Sequence, residues 1–496
     1  MMKLVQCGSS ISRNCIIQFH QVMLKLNFMN AYLVHCLRIS CSALLCRMLC
    51  QSVVTRKCAK LLALMVLQWK SLFMVGSDYL FICVYCSTYF SRINTCQMIS
   101  WNLQLYRLSS AKSGDLSDVN NYRAIAISNS LSKLLEAIFM RELNSCNIES
   151  DYRQFGFKAA HSTALCTNVL KRSVDYYTSR GSHVFTCFVD FTKAFDRVNY
   201  WKLFSMLLDD RLNSHIVSLL AYWYSKQLVR VRWHATKSDY FSIGNGTRQG
   251  GITSPLLFAR YVKGLLITLS NSRIGCNVAG CMINVLAYAD DIVLCAPSWR
   301  GLQQLIDLLA IEIGNINMLC NIKKTVCMVF VFVPKERSKL ISHTFPSFQY
   351  NGVLLSFVSE FKYLGHQIAC DLSDDNDIRR EIRNMFVRIN ILIRKFAKCS
   401  KDVKILLFRT YCLCLYDNAL WYNNTTGIFC KLQSCYIKCI KLFFGFERRH
   451  SVTQMLFELG LPSFETVMHN SKHIFMQSWT SSTNLIVKFL CSIGIK

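Results

Sequence analysis

The chain has 496 residues, 52% of them hydrophobic, which is enough for roughly two to four folded domains and excludes disorder over most of its length. With 57 Lys and Arg against 29 Asp and Glu, its formal net charge is +28, so a polyanionic partner is expected: nucleic acid or an acidic membrane surface. The basic residues are dispersed and form no amphipathic Lys/Arg helix, which favours nucleic acid.

Residues 1–100 form a leader rich in Cys and Met, without a catalytic constellation. Ser71–Phe90 is apolar enough to suggest a membrane span, but Asp78 interrupts it and Lys70 and Arg92 flank it, so a span is disfavoured. The 26 cysteines have no regular spacing, and no secretory signal peptide is recognisable. We therefore expect free, structural thiols and an intracellular location, in the cytoplasm, the nucleus or both.

From Trp101 onward the hydrophobic pattern predicts short strands alternating with helices. Helical spacing of apolar residues predicts three helices, at Ser130–Leu143, Trp201–Tyr224 and Gly301–Leu319. Runs of β-type residues predict strands at Ile125–Ile127, Val184–Val189, Leu228–Trp233 and Thr325–Val333, and a late hairpin formed by Phe348–Val353 with Phe361–Ile368.

An acidic pair lies between two apolar runs. Ile283–Ala287 and Ile292–Ala296 flank Tyr288-Ala289-Asp290-Asp291, which predicts a β-hairpin with the acids at its turn. Adjacent carboxylates between buried strands are unfavourable unless a cation or water compensates them. Taken alone, the pair leaves two interpretations open: a metal site and an ordinary Asx turn.

A third acid occurs in similar surroundings. Asp190 ends the β-type run Val184–Val189 just before a helix-like stretch, which predicts that it lies at the rim of a sheet. Three carboxylates on neighbouring strand ends can hold two divalent ions about 3.5–4 Å apart, as in phosphoryl transfer. The sequence therefore predicts a site for two Mg²⁺ ions, or Mn²⁺ in their place, formed by Asp190, Asp290 and Asp291.

Seven short motifs follow one another over roughly half the chain. They are Asn121-Tyr122-Arg123 to Leu135-Glu136; Gln154-Phe155-Gly156-Phe157 with His161-Ser162-Thr163; Phe188-Val189-Asp190 to Asn199; Arg248-Gln249-Gly250-Gly251 to Phe258; Tyr288-Ala289-Asp290-Asp291; Asn321 with Lys324-Thr325; and Phe361 to Gly365. With these motifs in this order, the segment from about Asp115 to Ile368 resembles the reverse transcriptase domain of non-LTR (LINE-type) retrotransposons of the jockey and RTE sort.

The resemblance implies a right-hand polymerase fold of the α+β class, with fingers, a palm containing an antiparallel sheet, and a helical thumb. It places the fingers and palm at residues 101–372, the thumb at 373–450 and a C-terminal extension at 451–496. The arginines and lysines after Asp371 then lie against the backbone of a template-primer duplex.

The resemblance also implies roles for side chains that bind substrate. Arg123 and Lys158 lie where the family places cations near the template and the incoming triphosphate. Gln249 and Gly250 lie where members of the family contact the nascent base pair and the template backbone. The adjacent glycines allow the protein backbone to approach the nucleic acid closely.

Two further roles follow in the same way. Phe195 has the position of an aromatic ring that packs under the sugar of the incoming nucleotide and excludes a 2′-hydroxyl, which favours dNTPs. Lys324, in preference to Lys323, has the position of a general acid that protonates the leaving pyrophosphate.

The implied function is RNA-directed DNA polymerisation, in which a DNA primer is extended with dNTPs along an RNA template by two-metal nucleotidyl transfer. The alternative is a catalytically inactive, nucleic-acid-binding remnant of a degraded element. The absence of endonuclease motifs, the Cys-rich leader, and Lys263-Gly264 in place of the family's usual Asn-Asp favour this alternative. A third possibility is a group II intron maturase or a telomerase-like enzyme. These enzymes share the palm, but they lack the sequence motifs found here at Arg248–Gly251 and Phe361–Gly365.

Overall fold

The computed structural model describes residues 100–107, 122–128, 130–145, 151–233, 235–331 and 345–494. The chain divides into two compact units. Unit 1 combines the described residues before 149 with Tyr200–Ser254, and unit 2 combines Glu149–Asn199 with Pro255–Lys496. Each unit is therefore built from two separated stretches of sequence. The predicted leader, with the possible span at Ser71–Phe90, lies outside the described residues except for the backbone of Ser100.

The strands, in chain order, are β1 (Ser100–Arg107), β2 (Tyr122–Ile127), β3 (Val184–Val189), β4 (Leu228–Trp233), β5 (Thr236–Lys237), β6 (Phe241–Ser242), β7 (Asn277–Val278), β8 (Cys281–Met282), β9 (Val285–Tyr288), β10 (Asp291–Ala296), β11 (Val326–Phe330), β12 (Gln349–Tyr350), β13 (Val353–Leu354), β14 (Ser356–Phe357), β15 (Glu360–Tyr363) and β16 (His366–Ala369).

The α-helices are α1 (Ser130–Ser145), α2 (Thr163–Thr178), α3 (Tyr200–Asp209), α4 (Ser214–Ser225), α5 (Ser254–Asn271), α6 (Trp299–Asn315), α7 (Asp375–Phe396), α8 (Lys401–Tyr411), α9 (Thr426–Phe444), α10 (Val452–Leu459), α11 (Phe464–Thr480) and α12 (Leu485–Ser492). The described residues also form two 3₁₀ helices, at Ala194–Arg197 and Asn418–Leu420.

Unit 1 contains a mixed sheet in the order β2-β1-β4-β5, with β6 also paired to β4. β1 is antiparallel to β2 and parallel to β4. The predicted single helix at Trp201–Tyr224 is wrong, because the chain turns after α3 at Arg211, whose φ is +62°. The side chain of Asn213 then accepts a hydrogen bond from the backbone of His215 and caps α4.

The central sheet of unit 2 has the order β14-β11-β3-β10-β9. β3 is buried along its whole length and pairs antiparallel with β10 on one side and β11 on the other. Its bounds are those predicted from sequence, because a run of β-branched and aromatic residues suits a strand buried on both faces.

The late segment predicted as one hairpin forms two. β12 pairs with β13, and β15 pairs with β16, each antiparallel across a two-residue turn. Both turns have positive φ at both central residues, at Asn351-Gly352 and Leu364-Gly365, as a type I′ turn requires. The single predicted hairpin is therefore wrong, since each short run closes on its own neighbour.

Two cores stabilise unit 2. One packs helix α2 and the central sheet with the last two helices of the chain, α11 and α12, through Phe475, Trp479, Ile486, Val487 and Leu490. The other joins α7, α8, α9, α10 and the start of α11. The stretch predicted as a C-terminal extension thus supplies part of the core beneath the sheet.

The described cysteines are free thiols, many of them buried, as the sequence predicted. In the part of the chain that the structure covers, none of the helices is long and apolar enough to cross a membrane.

A buried ionic cluster connects α2, β16, α7 and the second 3₁₀ helix. Lys171 forms an ion pair with Asp374, and His366 lies between three carboxylates: Asp374 at 3.6 Å, Asp377 at 3.3 Å and Asp417 at 3.9 Å. The Lys171–Asp374 pair joins residues 203 positions apart, so the cluster holds separate stretches of unit 2 together.

Asp417 gives this cluster a pH dependence. Burial raises the pKa of its carboxyl to about 6, although the neighbouring His366 opposes the shift. A folded pKa above the unfolded one means that this stabilising contribution is complete below about pH 4 and is lost as the pH rises through 6. Asp417→Asn keeps the neutral form, and Asn tolerates the residue's φ of +56°.

We expect Asp417→Asn to be more stable than the wild type by about 1–3 kcal/mol at pH 7.5, with the difference shrinking as the pH falls to 4.5. Urea denaturation at several pH values measures it. A difference that is constant with pH would contradict the role given to this carboxyl.

Candidate active site

The predicted acidic hairpin is confirmed. β9 ends at Tyr288, β10 begins at Asp291, and these two residues are register partners across a two-residue turn. Ala289 and Asp290 form that turn, and Ala289 has a φ of +58°. A positive φ at the first central residue is typical of a type II′ turn, where glycine is usual.

Asp190 lies beside this hairpin. β3 pairs antiparallel with β10, with Val189 opposite Ile292. β3 ends at Val189 and β10 begins at Asp291, so Asp190 and the Asp290-Asp291 turn lie at the same end of this strand pair. The fold therefore gathers the three predicted acids at one end of one sheet.

The first acid is held by a loop that follows α6. The side-chain amide of Asn321 donates to the Asp190 carboxylate at 3.0 Å, and the backbone N–H of Asn321 donates to the Asp190 carbonyl at 2.7 Å. The Asp190 backbone N–H donates to the Thr325 hydroxyl at 3.2 Å. The sequence had placed Asn321 and Thr325 in a motif but had given them no role.

The acids are accessible and their charge reaches neighbouring groups. Asp190 and Asp290 are half-buried and Asp291 is exposed. Burial raises the pKa of the Cys166 thiol to about 12, and Asp291 adds to that shift. Burial likewise raises the pKa of Cys320 to about 11, with a contribution from Asp190.

The donor set fits a hard divalent ion, since carboxylate oxygens are the ligands that Mg²⁺ prefers. As the side chains are placed, the described ranges contain no group of three or more His, Cys, Asp or Glu residues arranged to hold a metal ion. The two-ion site at Asp190, Asp290 and Asp291 stays a prediction.

A segment before α2 packs on the hairpin turn. The side chain of Gln154 bonds the backbone of Ala289 twice, accepting from its N–H at 2.8 Å and donating to its carbonyl at 3.0 Å. Gly156 lies so close that a Cβ there would be 2.4 Å from the Ala289 nitrogen. Only glycine fits this approach. No role for Gln154 follows from the sequence motif in which it lies.

Phe195 lies in the 3₁₀ helix after Asp190. Its ring stacks on Phe258 at 4.6 Å and meets Phe157 edge to face at 6.1 Å, measured between centroids. Phe157 is 46% exposed and Phe195 is half-buried. Phe195 is thus supported from behind with part of its surface accessible, and its role in excluding a 2′-hydroxyl stays a prediction.

The two predicted lysines of unit 2 lie in loops next to the acids. The loop of Lys158 bonds Ala289 of the turn, and the loop of Lys324 bonds Asp190. Lys158 follows Phe157, and its Nζ donates to the carbonyl of Asp151 at 2.7 Å. Lys324 is exposed in the turn after Asn321, as is Lys323. Exposure of both leaves the choice of Lys324 as general acid a prediction.

The remaining predicted residues, Arg123, Gln249 and Gly250, belong to unit 1. Arg123 lies in β2 at the register position opposite Tyr106. The Gln249 carbonyl accepts from the backbone of Ala126 at 2.8 Å, and Gly250 has a φ of +101°. Their contacts with nucleotides stay predictions.

The Gly-rich turn of unit 1 has its own buried support. Arg248 forms an ion pair with Glu136 at 2.7 Å and packs 3.8 Å above the Trp223 ring. Burial lowers the pKa of the Arg248 guanidinium to about 10, while Tyr224 and then Glu136 oppose the shift.

An aspartate at the end of a central strand, beside an Asp-Asp hairpin within the antiparallel strands β3, β10 and β9, is the arrangement of the palm of a right-hand polymerase. The profile of the family described as "Reverse transcriptase (RNA-dependent DNA polymerase)" matches residues 111–368, which is more than half of the chain. The chain belongs to the reverse transcriptase family, as its motifs predicted.

Its relatives include polyproteins of insect retrotransposons. It is 28% identical over 269 residues to the Pol polyprotein of the type-2 retrotransposable element R2DM of Drosophila melanogaster, covering 51% of this chain and 25% of that one. To the RNA-directed DNA polymerase of the mobile element jockey of Drosophila funebris it is 24% identical, covering 62% and 33%. The chain spans only about a quarter to a third of the length of these two relatives.

Among solved structures, telomerases are similar to this chain. Telomerase from Candida albicans with a fragment of telomeric RNA gives a TM-score of 0.41 at 11% identity, covering 77% of this chain and 68% of that one. Apo telomerase from Candida tropicalis gives the same score and identity, covering 82% and 72%.

The departure from the family at Lys263-Gly264 lies on the surface of α5. A Cβ at Gly264 would meet no atom within 4 Å, and Lys263 is half-buried. The acids of the palm are separate from this position, so the substitution removes none of them.

Proposed function

We propose that this chain is the RNA-directed DNA polymerase of a non-LTR retrotransposon, which extends a DNA primer with dNTPs along an RNA template. The supporting observation is the register of β3 and β10, which sets Asp190 beside the Asp290-Asp291 hairpin in a member of the reverse transcriptase family. The net charge of +28 suits nucleic-acid partners. An intracellular location is part of the proposal.

In the proposed mechanism, Asp190 and Asp290 would hold two divalent ions, Mg²⁺ or Mn²⁺, with Asp291 supporting them. Such ions would supply activation of the primer 3′-hydroxyl and neutralisation of charge on the triphosphate. Asn321 fixes the orientation of the Asp190 carboxylate through its hydrogen bond. The protein's contribution is mainly positioning and charge neutralisation.

The other residues bind and orient the substrates. Arg123 and Lys158 neutralise phosphate charge, and Gln249 and Gly250 contact the nascent base pair. Phe195, held by Phe258, excludes a ribose 2′-hydroxyl. Lys324 protonates the leaving pyrophosphate.

The test is primer extension on an RNA template. We expect product that requires the template, dNTPs and a divalent ion, that stops when EDTA is added in excess, and that returns with Mg²⁺. Binding of the template-primer should survive EDTA, because cationic side chains carry most of it.

The second candidate is an inactive nucleic-acid-binding remnant of a degraded element, which the Lys263-Gly264 departure in α5 favours. Tight binding of the template-primer without any metal-dependent extension would overturn the polymerase proposal and leave this one.

A further inference from the structure

Gln154 is a fully buried amide with an unusual set of partners. Its exposed fraction is 0%, and its donor and acceptor both bond the backbone of one residue, Ala289, in the acidic turn. The same oxygen also accepts from the N–H of Gly156 at 2.9 Å. The Gln154 side chain therefore links its own loop to a residue 135 positions away in the sequence.

Ala289 needs such a partner for two reasons. It lies between the register partners Tyr288 and Asp291, in a turn where no strand partner is available for its N–H and carbonyl. Its φ of +58° is also unfavourable for a residue with a side chain. Two hydrogen bonds from a buried amide favour this backbone conformation of Ala289 over competing ones. Because Asp290 is the next residue, its backbone position is restricted as well.

The main chain around Gln154 is anchored without the side chain. The N–H of Phe155 donates to the Ala287 carbonyl at 2.8 Å, and the N–H of Ala287 donates to the Arg153 carbonyl at 2.9 Å. Loss of the amide should therefore change the turn while the segment stays docked on β9.

We propose that Gln154 is a positioning residue that fixes the Ala289-Asp290 turn and, through it, the Asp290 carboxylate. This rests on the proposed function, because the effect on catalysis presumes that Asp290 acts in polymerisation. Gln154 does not itself touch substrate.

The chain offers a matched control on another hairpin. Gln303 of α6 accepts from the N–H of Gln349 at 3.0 Å and donates to its carbonyl at 2.9 Å, the same pair of bonds to one backbone residue. β12 carries none of the predicted site residues. Gln303 is half-buried and also donates to Asp307 at 2.8 Å, so substitutions there report the loss of such an amide pair at a hairpin without predicted site residues.

The first experiment compares Gln154→Ala with Gln303→Ala in steady-state primer extension. We expect Gln154→Ala to lower kcat by about 10- to 100-fold, the scale of a misplaced catalytic group, and to change the KM for template-primer by less than about threefold. Gln303→Ala should stay within about twofold of the wild type in both. Equal kcat values for the two variants would overturn the proposal.

The second experiment uses Gln154→Glu, which separates positioning from packing. An ionised carboxylate only accepts, whereas a protonated one donates and accepts as the amide does. Burial favours the protonated form. The ratio of the kcat of Gln154→Glu to that of the wild type should therefore rise as the pH falls from 8.5 to 6, while the ratio for Gln154→Ala stays flat. A flat ratio for both variants counts against the paired hydrogen bonds.

Hydrogen exchange distinguishes failure of this inference from failure of the proposed function. In Gln154→Ala, a peptide covering Leu286–Ile292 should exchange at least several-fold faster than in the wild type, because the Ala289 N–H has lost its acceptor. This result needs no catalytic activity. If the wild type does not extend primers but exchange increases, only the polymerase proposal fails. Unchanged exchange overturns the inference even in an active enzyme.

Discussion

Replacing Asp290 by Ala is expected to lower the rate of RNA-templated primer extension by about a thousandfold or more. A bound divalent ion supplies several kcal/mol of charge stabilisation in the transition state, and about 4 kcal/mol corresponds to a factor of a thousand. Asp290 is half-buried at the turn beside Asp190, and we expect its truncation to leave the strand pairs of β9 and β10 intact. Single-turnover extension with saturating dNTPs measures the chemical step directly.

Asp196→Ala is the matched control for this variant. Asp196 is exposed in the 3₁₀ helix six residues after Asp190 and does not belong to the predicted metal site. Its replacement by Ala removes the same charge as Asp290→Ala. Its extension rate should remain within about threefold of the wild type. Both variants should bind template-primer with near wild-type affinity. An Asp290→Ala protein that retains a tenth or more of the wild-type rate would rule out the assigned role.

Replacing Asp374 by Ala is expected to have the largest effect on stability, about 3–5 kcal/mol of unfolding free energy. Its carboxylate pairs with Lys171 and accepts from the backbone of Tyr422 and Asn423 at 2.8 and 2.9 Å. Both charged side chains are less than a tenth exposed. Truncation leaves the buried Lys171 ammonium without its counter-charge, which costs more than the pair itself contributes.

Urea denaturation near pH 7 measures this loss, and Asp371→Ala serves as its control. Asp371 is exposed three residues earlier and accepts one local hydrogen bond, from the backbone of Ser373. We expect its loss to cost less than about 1 kcal/mol. If Asp374→Ala is no less stable than Asp371→Ala, the ion pair with Lys171 does not hold these elements together.

The elements that carry the acids could be predicted because their signals are local. The bounds of β3 and the position of the turn between β9 and β10 follow from runs of β-type residues interrupted by an acidic pair. The pairing of β3 with β10 joins residues about a hundred positions apart. The sequence predicted that the strand ends carrying the acids are neighbours, but it did not predict their register. Register is set by the packing of whole strands, which a single pattern does not specify.

Other features could not be predicted because they depend on partners distant in sequence. Nothing near Gln154 indicates that its amide bonds Ala289, and the sequence gives Asn321 no sign that it meets Asp190. The break between α3 and α4 was missed because apolar spacing continued across it, although Asn213 is a typical capping residue. Helical periodicity shows which face of a helix is buried, but not the core in which it is buried.

The helices α11 and α12 have a consequence for how the protein is made. Their side chains complete the core beneath the palm sheet, although they follow the acidic hairpin by more than 150 residues. During synthesis they leave the ribosome well after β3, β9 and β10. Until then, the face of the palm sheet that packs on α11 and α12 is exposed to solvent in the nascent chain. Chaperones that shield apolar surface should bind the nascent chain until these helices emerge.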